Sequence, residues 1–180
     1  MSKIFLITGG VKSGKTLSSI RYFEECDNVV YIATLENLSE GTEIQVSENK
    51  ALRPNSWITR EEGYSPARAI GDEKLFILDS VTYMVLNIMR EIIGDSTEIT
   101  KEMRDQITEK VLYEAKLFID TVREVKGDAI IITNELGFSI MPEKSFELAF
   151  RDVLARLNTF LGQNVDEIYL SICGTQLRII

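Results

Sequence analysis

The chain predicts an α/β fold: a mainly parallel sheet with helices on both faces and an antiparallel edge at its C-terminal end. Four continuous apolar runs each stop at polar residues, namely Ile4–Ile7 before Thr8-Gly9, Val29–Ala33 before Thr34, Leu75–Leu78 before Asp79-Ser80, and Ala129–Ile132 before Thr133-Asn134-Glu135. Unbroken apolar runs suit strands covered on both faces. Segments of helical period lie between them. Two last strand patterns, Glu167–Ile172 and Gln176–Ile180, flank Gly174-Thr175, a two-residue link that reads as a hairpin turn.

Each element has its own reason. Ile4–Ile7 reads as a buried strand and leads into Gly9-Gly10-Val11-Lys12-Ser13-Gly14-Lys15-Thr16, which matches G-x-x-x-x-G-K-[ST]. A helical pattern from Leu17 to Phe23 follows, so the motif sits between strand and helix, where a phosphate-binding loop belongs. The expected fold is thus a three-layer domain of the P-loop NTPase type. Val29–Ala33 is the second strand. The stretch from Glu36 to Glu73 carries Gly41, Pro54, Gly63, Pro66 and Gly71 with little periodicity, and reads as loops with short helical pieces. After Leu75–Leu78, a helix spans Val81 to Ile93 and ends near Gly94. The longest helix covers Lys101 to Val125, where Met103, Ile107, Val111, Ala115, Phe118, Val122 and Val125 form one apolar stripe and Gly127 supplies the stop. A further helix runs from Glu143 to Leu161, behind Pro142 and ending near Gly162.

Composition narrows the classes. The 180 residues are 44% hydrophobic and 27% charged, which suits one domain spanning residues 1–180 with a real core. No apolar run reaches the ~20 residues a bilayer span needs, and Met1-Ser2-Lys3 enters a strand with no secretory pattern, so a cytoplasmic protein is expected. A net charge of −8 argues against nucleic acid as a partner. Cys26 and Cys173 fit no zinc or redox spacing and read as buried free thiols. The chain has 0 histidines, which excludes a histidine base, ligand or nucleophile.

The candidate site follows from the strand ends, because ligands in such sheets bind beyond the carboxyl ends of the strands. Amides of the Gly9–Thr16 loop converge on phosphates, Lys15 reaches the β- and γ-phosphates, and the Thr16 hydroxyl faces Mg²⁺. Asp79 has two readings: a carboxylate for Mg²⁺, or a cap for the helix that starts at Val81, a role Ser80 can also fill. Glu135 either assists an attacking hydroxyl or belongs to a polar turn. Lys50 and Arg53 lie in a loop where cations clamp phosphates or simply meet solvent. Tyr31 and Trp57 either stack on a base or pack in the core. Arg151 and Arg156, five residues apart on one helix, do not share a face well, and pairing with Asp152 or Glu147 competes with ligand contact.

These residues resemble the bifunctional adenosylcobinamide kinase/adenosylcobinamide-phosphate guanylyltransferase family of cobalamin biosynthesis. The matching pieces are Thr8-Gly9-Gly10 with Ser13-Gly14-Lys15; Tyr31-Ile32-Ala33-Thr34; Arg53-Pro54 with Trp57, Thr59 and Glu61; Asp79 with Thr82 and Asn87; Thr133-Asn134-Glu135-Leu136-Gly137 with Ile140 and Pro142; and Phe150-Arg151-Asp152 with Arg156 and Asn158. They cover essentially the whole chain in order. The resemblance implies a recombinase-core-like P-loop domain, assembly as a homotrimer, and two reactions: phosphorylation of the aminopropanol hydroxyl of adenosylcobinamide by GTP or ATP, then GMP transfer through a guanylylated histidine. It places nucleotide contacts on Gly9, Gly10, Val11, Lys12, Ser13, Gly14, Lys15 and Thr16, on Thr34, Leu35 and Glu36, on Lys50, Ala51, Leu52 and Arg53, on Glu61 and on Asp79.

One departure matters. Where the family carries its nucleophilic histidine, this chain has Asn49 beside Glu48. Neither side chain replaces imidazole in forming the expected nucleotidyl intermediate. The kinase half survives the loss; the guanylyltransferase half, by the family's mechanism, does not. The expected function is phosphoryl transfer to adenosylcobinamide, with Lys15, Asp79 and Glu135 as catalytic residues and Thr16 and Asp79 holding Mg²⁺. Two alternatives stand: a nucleotide-binding switch or assembly subunit with no small-molecule acceptor, and GMP transfer by direct attack of the cobinamide phosphate on GTP.

Overall fold

The computed structural model describes residues 2–35, 47, 50–96 and 98–180. Seven strands and four longer helices are described: β1 (Ile4–Gly9), α1 (Lys15–Tyr22), β2 (Val29–Ala33), β3 (Ile58–Glu61), β4 (Leu75–Asp79), α2 (Val81–Ile93), α3 (Lys101–Glu124), β5 (Asp128–Ile132), α4 (Ser145–Asn164), β6 (Glu167–Ile172) and β7 (Thr175–Arg178). A 3₁₀ turn, Pro66–Ala69, precedes β4. The sheet order is β3-β2-β4-β5-β1-β6-β7. Every pairing is parallel except β6–β7, so the expected mainly parallel sheet with an antiparallel C-terminal edge is present.

Because strand side chains alternate between faces, the apolar runs feed two cores. Ile4, Leu6, Val30, Ile32, Phe76, Leu78, Ala129 and Ile131 meet α2, α3 and α4 on one face. Phe5, Ile7, Val29, Tyr31, Ile77, Ile130 and Ile132 meet Ile20, Phe23 and Trp57 on the other. The stripe of α3 packs as its period requires: Ile107, Val111, Ala115, Phe118 and Val122 are all buried. Thr100 caps α3, its hydroxyl accepting from Met103 N at 3.2 Å. The result is three layers, with α1 on the face opposite α2, α3 and α4.

Several expectations need correction. The stretch read as loops contains β3, an edge strand parallel to β2 with Ala33 opposite Glu61. Its side chains are mostly exposed, so backbone pairing holds it and apolar periodicity could not reveal it. The hairpin turn is Cys173-Gly174, with φ of 50° and 79°, one residue earlier than expected. Cys173 is therefore exposed and Cys26 half-buried, not both buried. Helix α4 passes through Gly162 to Asn164. At the end of α3 the left-handed residue is Lys126 (φ 54°). Gly127 serves close packing instead, since a Cβ there would lie 2.7 Å from Phe76 Cε2.

Candidate active site

The strand order puts four sequence-distant ends side by side. Ala33 of β2 is in register with Asp79 of β4, Asp79 with Ile132 of β5, and Ile132 with Ile7 of β1. Polar residues that follow those apolar runs therefore meet in one crevice. The phosphate loop closes it: Val11 through Leu17, Asp79, Ser80, Tyr83, Ile132 and Asn134 line a cleft of about 250 Å³.

Backbone shape in the loop is specific. Gly9 has φ 148° and Gly14, at the start of α1, has φ 100°. A Cβ on Gly9 would sit 2.4 Å from Ser171 O, and one on Gly14 would sit 3.0 Å from Gly174 Cα. The β6–β7 hairpin thus lies directly against the loop. Ser171 Oγ donates to Ser13 O at 2.8 Å, Gly174 N donates to the same oxygen at 2.9 Å, and Gln176 Nε2 donates to Ser171 Oγ at 2.8 Å.

Lys15 is folded back onto its own loop. Its ammonium donates to Gly10 O at 2.7 Å and Gly9 O at 3.1 Å. Burial lowers its pKa, and the Asp79 carboxylate opposes that shift. A cation held against loop carbonyls, in a cleft lined by the loop, is placed for an arriving polyanion.

Asp79 collects hydroxyls. Thr16 Oγ1 donates to Asp79 Oδ2 at 2.8 Å, and the Tyr31 hydroxyl donates to the same oxygen. Burial and then Asp79 push the Tyr31 pKa well up, and the same two causes raise Tyr83. The Arg53 guanidinium lies 3.4 Å above the Tyr31 ring and donates to Thr59 Oγ1 at 3.0 Å. Asp79 is not a side-chain cap: α2 has no side-chain cap bond at Ser80. The Asp79–Ser80 peptide bond is cis.

Thr34 braces the crevice floor. Its Oγ1 donates to Ser80 O at 2.6 Å and accepts from Ser80 N at 2.8 Å. Asn87 Nδ2 donates to Thr34 O and Gly63 O at 2.8 and 3.0 Å. Past β5, Thr133 Oγ1 donates to Asn158 Oδ1 at 2.7 Å, Asn158 Nδ2 donates to Asn134 O at 3.0 Å, and Asn134 N donates to Thr82 Oγ1 at 2.9 Å.

The structure brings together Gly9 to Thr16, Asp79 and Arg53's partner Tyr31. Glu135 is one residue outside the cleft lining: its N–H donates to Gly9 O at 3.1 Å and its Oε1 accepts from Gly137 N at 2.6 Å. Glu61, Lys50, Ala51 and Leu52 are exposed; Thr34 is buried and Leu35 half-buried. Glu36, Glu48 and Asn49 lie outside the described residues. Trp57 and Tyr31 are core residues, with Trp57 Nε1 donating to Cys26 O at 2.9 Å. Among the described residues Arg151 pairs with no carboxylate; it donates to Gly137 O and Met141 Sδ. Ser80 and Asn134, strand-end residues in the sequence, line the cleft, and so does Tyr83, which no motif marks. Tyr83 stands four residues after Asp79 at the start of a helix, a spacing that could have flagged it.

The donors fit a hard cation. Asp79 and Thr16 offer oxygen, and no cluster of three or more carboxylate, thiol or imidazole groups occurs among the described residues. Mg²⁺ characteristically binds one or two protein groups and takes the rest of its shell from phosphates and water. No helix among the described residues is long and apolar enough to cross a membrane.

Comparisons with known proteins identify a family. The sequence model of the family described as cobinamide kinase / cobinamide phosphate guanyltransferase matches residues 5–179. The chain is 27% identical over 181 residues to the bifunctional adenosylcobalamin biosynthesis protein CobU of Escherichia coli, covering 98% of this chain and 99% of that protein. It is 26% identical over 182 residues to the CobU of Salmonella typhimurium, with 98% and 99% covered. Among solved structures, a KaiC-like protein of Pyrococcus horikoshii is similar with a TM-score of 0.47 and 16% identity, over 93% of this chain and 70% of that one. With a family match running nearly end to end, the resemblance read from the sequence holds, and the chain belongs to the cobinamide kinase / cobinamide phosphate guanyltransferase family.

Proposed function

We propose that residues 1–180 act as one P-loop kinase domain that transfers the γ-phosphoryl group of GTP or ATP to the aminopropanol hydroxyl of adenosylcobinamide. The observation that carries this reading is the placement of Lys15, Thr16 and Asp79 in one cleft, with Thr16 Oγ1 2.8 Å from Asp79 Oδ2, in a member of this family. Bound Mg²⁺, held by Thr16 and Asp79, would neutralise charge on the phosphates. Lys15 exchanges its loop carbonyls for phosphate oxygens, and the loop amides hold the triphosphate in line with the acceptor. Catalysis is then mostly positioning and charge stabilisation. The acceptor oxygen bonds to the γ-phosphorus as the bond to the bridging oxygen breaks, and the hydroxyl proton passes to the Glu135 carboxylate. Thr34, Leu35, Glu36, Lys50, Ala51, Leu52, Arg53 and Glu61 border the nucleotide. By family resemblance the assembly is a homotrimer.

The guanylyl half is absent in this proposal, because the chain has no histidine. Incubation with γ-labelled nucleotide and adenosylcobinamide tests the kinase half. Label is expected on the corrinoid with the wild-type protein and not with Lys15→Ala. Tight Mg-nucleotide binding without labelled corrinoid would defeat the reading and favour a nucleotide switch.

A further inference from the structure

The cleft beside the loop, about 250 Å³, accommodates a phosphate tail and little more. A corrinoid exceeds the drug-sized ligands that fill pockets of roughly 300–1,000 Å³. The acceptor must therefore lie on the rim, with only its hydroxyl arm entering. One rim segment is built for an apolar guest. Between β5 and α4, Phe138, Ile140 and Met141 are 88%, 94% and 65% exposed within four residues of one arm. Exposed apolar side chains clustered this way mark an interaction site.

The arm is continuous with the cleft. It leaves β5 through Asn134, which lines the cleft, and Glu135, whose N–H is bonded to Gly9 O. It is also held in shape. Leu136 and Phe146 pack on the core at its two ends. Ser139 N and Oγ both donate to Leu136 O, and Arg151 donates to Gly137 O at 3.2 Å and to Met141 Sδ at 3.1 Å. Apolar side chains on a braced arm cost less to order on binding than those on a loose one.

Charge sorts the two substrates. Glu135, Glu143 and Glu147 flank the arm against two cations, Lys144 and Arg151, so acid exceeds base by one charge along it. That surface offers a nucleoside triphosphate no net positive charge and suits a corrinoid, whose alkylated cobalt(III) centre carries net positive charge.

We propose that the arm 136–142 is the docking platform for the corrinoid acceptor, with Phe138, Ile140 and Met141 against the methyl-rich face of the macrocycle. This rests on the kinase reading, yet it can be tested apart from turnover. Equilibrium dialysis of adenosylcobinamide, followed by its visible absorbance, gives its affinity for the wild-type protein and for the Phe138→Ser/Ile140→Ser double variant. Both side chains are almost wholly exposed, so the variant is expected to keep the wild-type Tm and nucleotide affinity. The expected result is a loss of corrinoid affinity of at least about 10-fold, with acceptor KM rising equally and kcat at saturation unchanged. A wild-type protein that binds corrinoid through this arm but transfers no phosphate would sink the kinase reading and leave the platform standing. Unchanged corrinoid affinity in the variant, or no corrinoid binding by the wild type, would overturn the platform. A variant that loses an oligomer in sedimentation while keeping corrinoid affinity would assign the arm to a second copy of the chain, and would overturn it too.

Discussion

Asp79 Oδ2 receives two hydroxyls, from Thr16 and Tyr31, while Lys15 sits near enough for its pKa to feel the same carboxylate. Removing that charge leaves the hydroxyls in place with nothing to focus a cation. Asp79→Asn is expected to lower kcat by about 10²–10³, the size of a lost electrostatic contact at a transition state, with the circular dichroism spectrum unchanged. A loss below 10-fold would remove Asp79 from the catalytic set. Lys15 gives a pH signature. Burial lowers its pKa in the free protein, whereas bound phosphates favour the charged form. Nucleotide affinity should fall as pH rises through the free-protein Lys15 pKa, and Lys15→Arg, which stays charged, should flatten that limb. The sign for folding is opposite: between the lowered native pKa and the ordinary lysine value the unfolded chain binds more protons, so stability rises with pH there. At this scale Lys15, Thr16 and Asp79 were legible because a motif and a strand end announce them. The Tyr31 hydroxyl was not, since its bond to Asp79 exists only once β2 and β4 are neighbours.

At the level of elements, the phosphate loop is not free-standing: the C-terminal hairpin holds it. Ser171 Oγ and Gly174 N share Ser13 O, and Gly9 has no room for a side chain against Ser171 O. Ser171→Ala removes two neutral hydrogen bonds, to Ser13 O and from Gln176 Nε2, each worth about 0.5–1.5 kcal/mol. It should weaken nucleotide binding a few-fold while corrinoid affinity stays put, as read by calorimetry of each ligand; equal losses for both would mean general loosening. Gly9→Ala forces the loop off the hairpin and should cost about 1–3 kcal/mol of stability, as overpacking does, visible in urea melts. Asn87→Ala leaves Thr34 O and Gly63 O without their donor, and should cost about 1–3 kcal/mol for the stranded groups. The loop could be read from eight consecutive residues, but its clamp could not, because Ser13 and Ser171 are far apart in sequence. Edge strand β3 escaped for a related reason: its exposed side chains leave no apolar imprint.

For the molecule as a whole, topology converts scattered polar strand ends into one rim. Placing β1 between β5 and β6 sets the loop between Asn134 and the hairpin, and placing β4 beside β2 sets Asp79 beside Tyr31 and Thr34. The apolar runs made this parallel core predictable, since only doubly covered strands read as unbroken apolar segments. The chemistry of the whole chain is also bounded by what it lacks: with 0 histidines, incubation with α-labelled GTP should leave no acid-labile nucleotidyl adduct on the protein. The most direct measurement is a crystal structure with Mg-GTP or Mg-ATP. The expected result is a triphosphate cradled by the amides of Gly10 to Thr16, with Lys15 Nζ moved from the Gly9 and Gly10 carbonyls to phosphate oxygens and the metal beside Thr16 and Asp79. A nucleotide bound elsewhere, or a filled cleft with Lys15 still on its loop carbonyls, would contradict it.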